Sequence, residues 1–444
     1  ICNLGVVGSN PTRGSRKADD TKVLSAFFLV RRRKTIRKSW VLKINLIFVL
    51  INQEAIVHMK NRTLYCFFFL FSLFPFSKTH AEWNSFIINF DKSVYGKGAQ
   101  TWQIAPYDDK WVYFANKNGM MQFDGNVWNV FPLNNSSDVR SVLASAAQKR
   151  IYVGGINEFG YFEPDADGSL VYHCMSDKLD GDFRFLGNVW GIHEIDNILY
   201  MQGDDRVIKY LNGKYTAIEM NAKIDCSNMV NGILYIGTDK GVWFLVGNTF
   251  FPLQGADELA SKRIRGIIPY KKGALVVTAY NGLYYCDGRT VEPFITGAEN
   301  FMRENEVFCV AKKDDKIALG TIHKGLVLID CNTLQLNYFN ENNGLRNNTV
   351  LSVSFDAAGN LWAGLDSGID YVCLSSPFTN LYSYPHSYGT GYTAAMGDGY
   401  LYLGTNRGLY YTSYPVRLNG NLPDIHPIPQ SSGQVWNLCR IGDE

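Results

Sequence analysis

Apolar and aromatic residues in this chain fall in short alternating runs broken by polar turns, not at helical spacing. The clearest run, Leu234-Tyr235-Ile236-Gly237-Thr238-Asp239-Lys240-Gly241-Val242-Trp243, returns as Leu401-Tyr402-Leu403-Gly404-Thr405-Asn406-Arg407-Gly408-Leu409-Tyr410 and as Leu361-Trp362-Ala363-Gly364-Leu365-Asp366-Ser367-Gly368-Ile369. Fainter copies are Ile317-Ala318-Leu319-Gly320-Thr321 with Gly325, Leu275-Val276-Val277-Thr278 with Gly282, and Val112-Tyr113-Phe114-Ala115 with Gly119. Ile151-Tyr152-Val153-Gly154 with Gly160, and Leu199-Tyr200-Met201 with Asp204-Asp205, bring the set to eight. Alternation of period two around a turn whose glycine can take positive φ predicts a β-hairpin in each copy.

The second glycine recurs at 241, 282, 325, 368 and 408, at intervals of 41, 43, 43 and 40 residues. Upstream of each hairpin lies a further strand and turn, as in Val350–Phe355 followed by Asp356-Ala357-Ala358-Gly359-Asn360. No stretch of the unit has helical periodicity, which disfavours helical solenoids. Four short strands per repeat describe a blade of a β-propeller. Tyr95-Gly96-Lys97-Gly98 and Tyr388-Gly389-Thr390-Gly391 lie 293 residues apart and bracket seven of the eight hairpins. The expectation is therefore all-β: a seven-bladed propeller over 82–387 and the first part of a second one over 388–444. A single ring of eight or more blades remains the other reading. Gly433-Gln434-Val435-Trp436 resembles Gly187-Asn188-Val189-Trp190 and reads as the first strand of a further blade, so the chain is expected to be a fragment.

Composition agrees with strands: of 444 residues 46% are hydrophobic and 14% aromatic, and there are 41 glycines, which excludes a disordered chain and disfavours an all-α one. The net charge of +2 conceals an asymmetry, with +11 in residues 1–81 and −9 in the remainder. Lys60 and Arg62, the apolar run Leu64–Phe76 and the small residue Ala81 have the order of a secretory signal peptide over 59–81. Residues 1–58 open with Ile1 rather than methionine and read as a mis-annotated or disordered basic extension ahead of a true start at Met59. The acidic remainder argues against nucleic-acid contact. Its seven cysteines are scattered, without the pairing of a zinc site, and read as small buried hydrophobes.

Asn343-Gly344-Leu345-Arg346-Asn347-Asn348-Thr349-Val350, followed by Asp356-Ala357-Ala358-Gly359-Asn360-Leu361-Trp362-Ala363-Gly364, closely resembles the two-component regulator propeller repeat. The resemblance covers about 90–444, with Leu365 in place of the family's threonine and a degenerate turn at Gln202–Arg206. It implies the exported, periplasmic sensor region of a membrane-bound two-component regulator. Its ligand would be an oligosaccharide released from a polysaccharide. The resemblance also implies a homodimer in the full-length parent, a transmembrane helix and a kinase or DNA-binding output further along.

Chemical motifs are sparse. Ser354-Phe355-Asp356-Ala357-Ala358-Gly359-Asn360-Leu361-Trp362 is near a sialidase Asp-box but reads as an inter-strand turn. Asp108-Asp109, Asp204-Asp205 and Asp314-Asp315 fall in turns, where carboxylates are usually solvated. The histidines lack metal-ligand spacing. No catalytic residue, metal or cofactor is expected. Inner strands are expected at Thr101–Ile104, Arg140–Leu143, Val189–Ile192, Ile264–Ile267, Val307–Val310 and Val350–Val353. On them Trp102 and Trp190 could offer aromatic platforms, and Arg140 and Arg265 donor forks, to an acidic or neutral oligosaccharide. A secreted propeller lyase or glycosidase, and a passive scaffold, are the competing functional readings.

Overall fold

The computed structural model describes residues 28–29, 85–96, 98–108, 110–179, 186–376, 378–379, 381, 388–416, 418–419 and 422–441. The export signal at 59–81, and all of 1–58 except 28–29, lie outside the described residues. The described chain is nearly all β and divides into two compact units, one built on 85–375 and one that includes 388–444.

The first unit contains seven four-stranded antiparallel sheets. Their inner strands are Thr101–Tyr107, Ser141–Ser145, Gly191–Ile195, Ile224–Val230, Ile264–Tyr270, Val307–Lys313 and Val350–Phe355. Each packs beside the next in chain order, and the seventh packs against the first. Successive sheets therefore close a ring, the arrangement of a β-propeller. The sequence reading omitted the inner strand of the fourth sheet, Ile224–Val230.

Closure depends on a strand from the other end of the chain. Phe86–Phe90 pairs antiparallel with Ile369–Cys373 and forms the outer strand of the seventh sheet, with Asn89 opposite Asp370. The Asn89 amide donates to Asp370 Oδ1 at 2.7 Å and to Gly344 O at 3.0 Å. Arg346 N–H donates to the other Asp370 oxygen at 2.7 Å, and the Arg346 guanidinium pairs with Asp91. Phe90 stacks on Trp362 and meets Phe123 edge-on, so that first sheet, seventh sheet and closing strand share one core with Phe114, Met121 and Ile369.

The two glycines of the repeat do different work. The second takes positive φ at 241, 282, 325, 368 and 408 and turns the hairpin. The first is needed because the next sheet's inner strand lies over it: a Cβ on Gly237 would sit 2.6 Å from Ile264 Cγ2, and one on Gly320 2.7 Å from Val350 Cγ1. The threonine after it ties the turn. Thr238 Oγ1 donates to Gly241 O and accepts from Lys240 N–H, both at 3.0 Å, and Thr405 repeats this with Gly408 and Arg407.

The second unit contains one four-stranded sheet, Gly391–Gly397, Tyr400–Thr405, Leu409–Ser413 and His426–Pro427. Val435 N–H donates to Thr405 O at 2.9 Å, as Val189 N–H does to Gly155 O, and a Cβ on Gly404 would meet Val435 as one on Gly154 would meet Val189. Val435-Trp436 thus occupies the place beside its sheet that Val189-Trp190 occupies beside the second sheet of the ring.

Candidate functional site

One backbone step recurs in all seven sheets of the ring. In five of them the inner strand carries one extra residue near its start, a bulge that aims a side chain out of the sheet. The register shifts lie at Thr101/Gln103, Ile224/Cys226, Ile264/Gly266, Val307/Cys309 and Val350/Ser352, so the extra residues are Trp102, Asp225, Arg265, Phe308 and Leu351. In the second and third sheets the same step falls on Arg140 and Trp190, whose N–H groups donate to Gly154 O at 2.7 Å and Gln202 O at 2.9 Å. The four residues expected from sequence are thus four of seven equivalent positions. Asp225, Phe308 and Leu351 were missed. Counting 12 to 14 residues back from the first glycine of each hairpin, or its equivalent, finds all seven.

Five of the seven side chains converge. Trp102 and Trp190 meet edge-to-face with centroids 5.8 Å apart, and Arg140 lies over both rings, at 4.3 and 5.3 Å. On its other side Trp102 approaches Phe308 at 6.5 Å, and Arg265 lies 4.9 Å over Phe308. Sheets one, two, three, five and six therefore contribute to one continuous cluster. The tryptophans do not stand as separate open platforms; they touch each other, with a guanidinium laid across them.

Carboxylates surround this cluster. Asp204 Oδ1 accepts from Trp190 Nε1 at 2.8 Å, which corrects the expectation of a merely solvated turn: the degenerate hairpin of the third sheet holds the indole. Asp138 lies 3.3 Å from Arg140, and the Arg140 Nε donates to Asn188 Oδ1 at 3.3 Å. Burial lowers the Arg140 pKa, and Asp138 opposes that shift. Glu306 accepts from Arg265, from Arg263 at 3.0 Å and from Tyr280 at 3.0 Å. Burial pushes the Glu306 carboxyl up, but the hydrogen bonds from Arg265 and Tyr280 and both guanidinium charges outweigh it and hold the group below its usual range. Arg263 also reaches Asp225 at 3.7 Å. Three enclosed donors, Trp102 Nε1, Arg140 Nη1 and Arg265 Nε, have no hydrogen-bond partner among the described residues.

Between the third and fourth sheets His193 Nε2 lies 2.7 Å from Ser227 Oγ, which donates to Gln202 Oε1 at 2.5 Å. Burial lowers the imidazole to about 4, so it is neutral at pH 7. This is an enclosed seam contact, outside the axial cluster. Asp356 accepts from Asn360 N–H at 2.9 Å and from the Tyr371 hydroxyl at 2.5 Å, and so closes its inter-strand turn, as the sequence implied. His173 pairs with Glu163 and His426 with Asp424, while His386 and Asp109 lie outside the described residues. The seven cysteines after residue 81 are free, and burial raises Cys226 and Cys309 to about 12. No described helix is long and apolar enough to cross a membrane.

Among solved structures the chain is similar to the extracellular domain of a hybrid two-component system from B. thetaiotaomicron, at TM-score 0.52 and 15% identity, covering 77% of this chain and 47% of that one. A second such domain from the same organism aligns at TM-score 0.52 and 16% identity, covering 78% and 50%. Virginiamycin B lyase from Staphylococcus aureus aligns at TM-score 0.50 and 12% identity, covering 67% and 99%. The chain thus spans about half the length of the two-component domains it resembles. No known family model matches the chain, and no curated protein matches it. At these identities the likeness is one of fold: the protein is a β-propeller of the kind found in extracellular sensor domains and in lyases.

Proposed function

We propose that this chain is the extracytoplasmic sensing portion of a two-component-type membrane regulator, binding an oligosaccharide through the axial cluster of its ring. The supporting observation is that five sheets send aromatic and guanidinium groups from one repeated step to a single place. Occupancy there touches most of the ring at once, and a ligand that binds two arrangements differently shifts their populations. In this reading 59–81 directs export to the periplasm and 388–444 begins a second propeller. Membrane attachment, dimerisation and transcriptional output belong to a longer parent. The fold likeness to extracellular sensor domains supports the assignment.

A thermal-shift screen of the chain against a panel of plant and host glycan oligosaccharides tests it. At least one should raise the melting temperature, and Trp102→Ala should abolish that rise. A flat response across the panel would favour a passive scaffold instead. The lyase reading rests on the likeness to virginiamycin B lyase. It predicts new unsaturated, ultraviolet-absorbing ends when uronate-containing polysaccharides are incubated with the protein.

A further inference from the structure

Resting on the axial cluster as the ligand site, we propose that it admits an uncharged, oxygen-rich ring compound and rejects carboxylated or sulfated ones. Guanidinium groups in a binding site ordinarily point to an anion, because their donor fork matches carboxylate and sulfate. Here each guanidinium charge is already paired with a carboxylate, although single N–H groups stay free. Arg140 has Asp138, Arg265 has Glu306, and Arg263 is shared between Glu306 and Asp225. With Asp204 on Trp190, four carboxylates face three guanidinium groups, so an incoming anion meets an excess of its own sign in a partly desolvated place.

What the cluster leaves unspent is three hydrogen-bond donors, two of them on guanidinium groups whose charge is already balanced, and apolar surface. The free donors are Trp102 Nε1, Arg140 Nη1 and Arg265 Nε, and the Arg265 side chain is only 9% exposed. Enclosed donors without acceptors are costly, so they favour an occupant that supplies oxygens. The faces of Trp102, Trp190 and Phe308 suit the C–H faces of a sugar ring. Because the three donors are enclosed, entry requires side chains of the cluster to part. Binding would then change tryptophan fluorescence.

The test is titration calorimetry on the full chain with two probe sets, run in parallel with tryptophan fluorescence. The neutral set is xylohexaose, mannohexaose, cellohexaose and galactan oligosaccharides; the anionic set is oligogalacturonates and heparin-derived tetrasaccharides. At least one neutral probe should bind, with a fluorescence change and with an affinity that varies less than about twofold between roughly 0.05 and 0.5 M salt. Trp102→Ala and Arg140→Gln should each weaken it by about tenfold or more. Trp102→Phe keeps an aromatic face without the donor and guards against misfolding; it should cost a smaller factor with an unchanged circular-dichroism melt. Preferential, salt-sensitive binding of an anionic probe through Arg140 would overturn the inference and leave the sensor reading standing. Neutral binding indifferent to Trp102→Ala would overturn it as well. Binding of neither set would overturn both.

Discussion

The seams between neighbouring sheets and the axial step of the same inner strands lie a residue or two apart in sequence, yet they obey opposite rules. At the seams one packing recurs: Gly154, Gly237, Gly320 and Gly364 each lie under a β-branched residue of the next inner strand, Val189, Ile264, Val350 and Thr101, while the other three sheets place Ala115, Gln202 and Val277 at the equivalent position. At the axial step one backbone geometry carries Trp102, Arg140, Trp190, Asp225, Arg265, Phe308 and Leu351, which have no side-chain chemistry in common. Close packing tolerates few solutions, so glycine recurs at four of the seven seams. A position that faces its six counterparts across an axis is freed from that constraint and can be filled to suit a ligand.

Substitutions should separate the two regions. The largest effect is expected at a seam: Gly320→Val would drive Cβ to 2.5 Å from Cys309 Sγ and 2.7 Å from Val350 Cγ1, with added methyls beyond. A loss of about 3 kcal/mol or more is expected, read as a collapse of the denaturation midpoint. A wild-type melt would break the comparison, because the seam would then be soft.

Next comes the closing strand. Burial raises Asp370 from 3.8 to about 6, against the hydrogen bonds from Asn89 and Arg346 N–H and the Arg346 charge, which pull it down. A carboxyl raised in the folded state contributes stability that is complete below its unfolded value and lost as pH rises through the folded one. The ring should therefore be less stable at pH 7 than at pH 4 by about 2 kcal/mol from this group. Asp370→Asn should remove that component from urea melts at the two pH values. An unchanged pH difference would show that the closing strand does not report this carboxyl.

A smaller effect is expected at the hairpin tie. Thr238→Val deletes the bond to Gly241 O and the acceptor for Lys240 N–H, at a cost of about 1–2 kcal/mol in the same melts. The smallest stability change should come from the axis. Trp190→Phe gives up the Asp204 bond at a cost of about 1 kcal/mol or less, yet should alter ligand response. If Trp190→Phe instead destabilised the ring as much as Gly320→Val, the axial cluster would be a structural core.

Much of this was legible without coordinates because it is local. Hairpin alternation, the positive-φ glycines at 241, 282, 325, 368 and 408, and the inter-strand turn at Asp356 are each decided within a few residues. Trp102, Arg140, Trp190 and Arg265 stood out as large or charged residues on apolar strands. Asp225 did not, because Ile224–Val230 was not assigned as an inner strand, and Phe308 and Leu351 read as ordinary apolar residues of apolar strands. Asp204 was read as a turn residue because its indole partner is 14 residues upstream and across the sheet.

By itself, then, the sequence determined the repeat, the strands and the hairpins, since backbone alternation and turn chemistry act over short spans. Only the tertiary structure decided that Phe86–Phe90 completes the sheet of Val350–Phe355, with Asn89 reaching Asp370 across 281 residues. Only it decided that Trp190, Arg140, Trp102, Phe308 and Arg265 form one cluster. Contacts made by closing a ring depend on the summed angles between all its sheets, and no local pattern carries that sum.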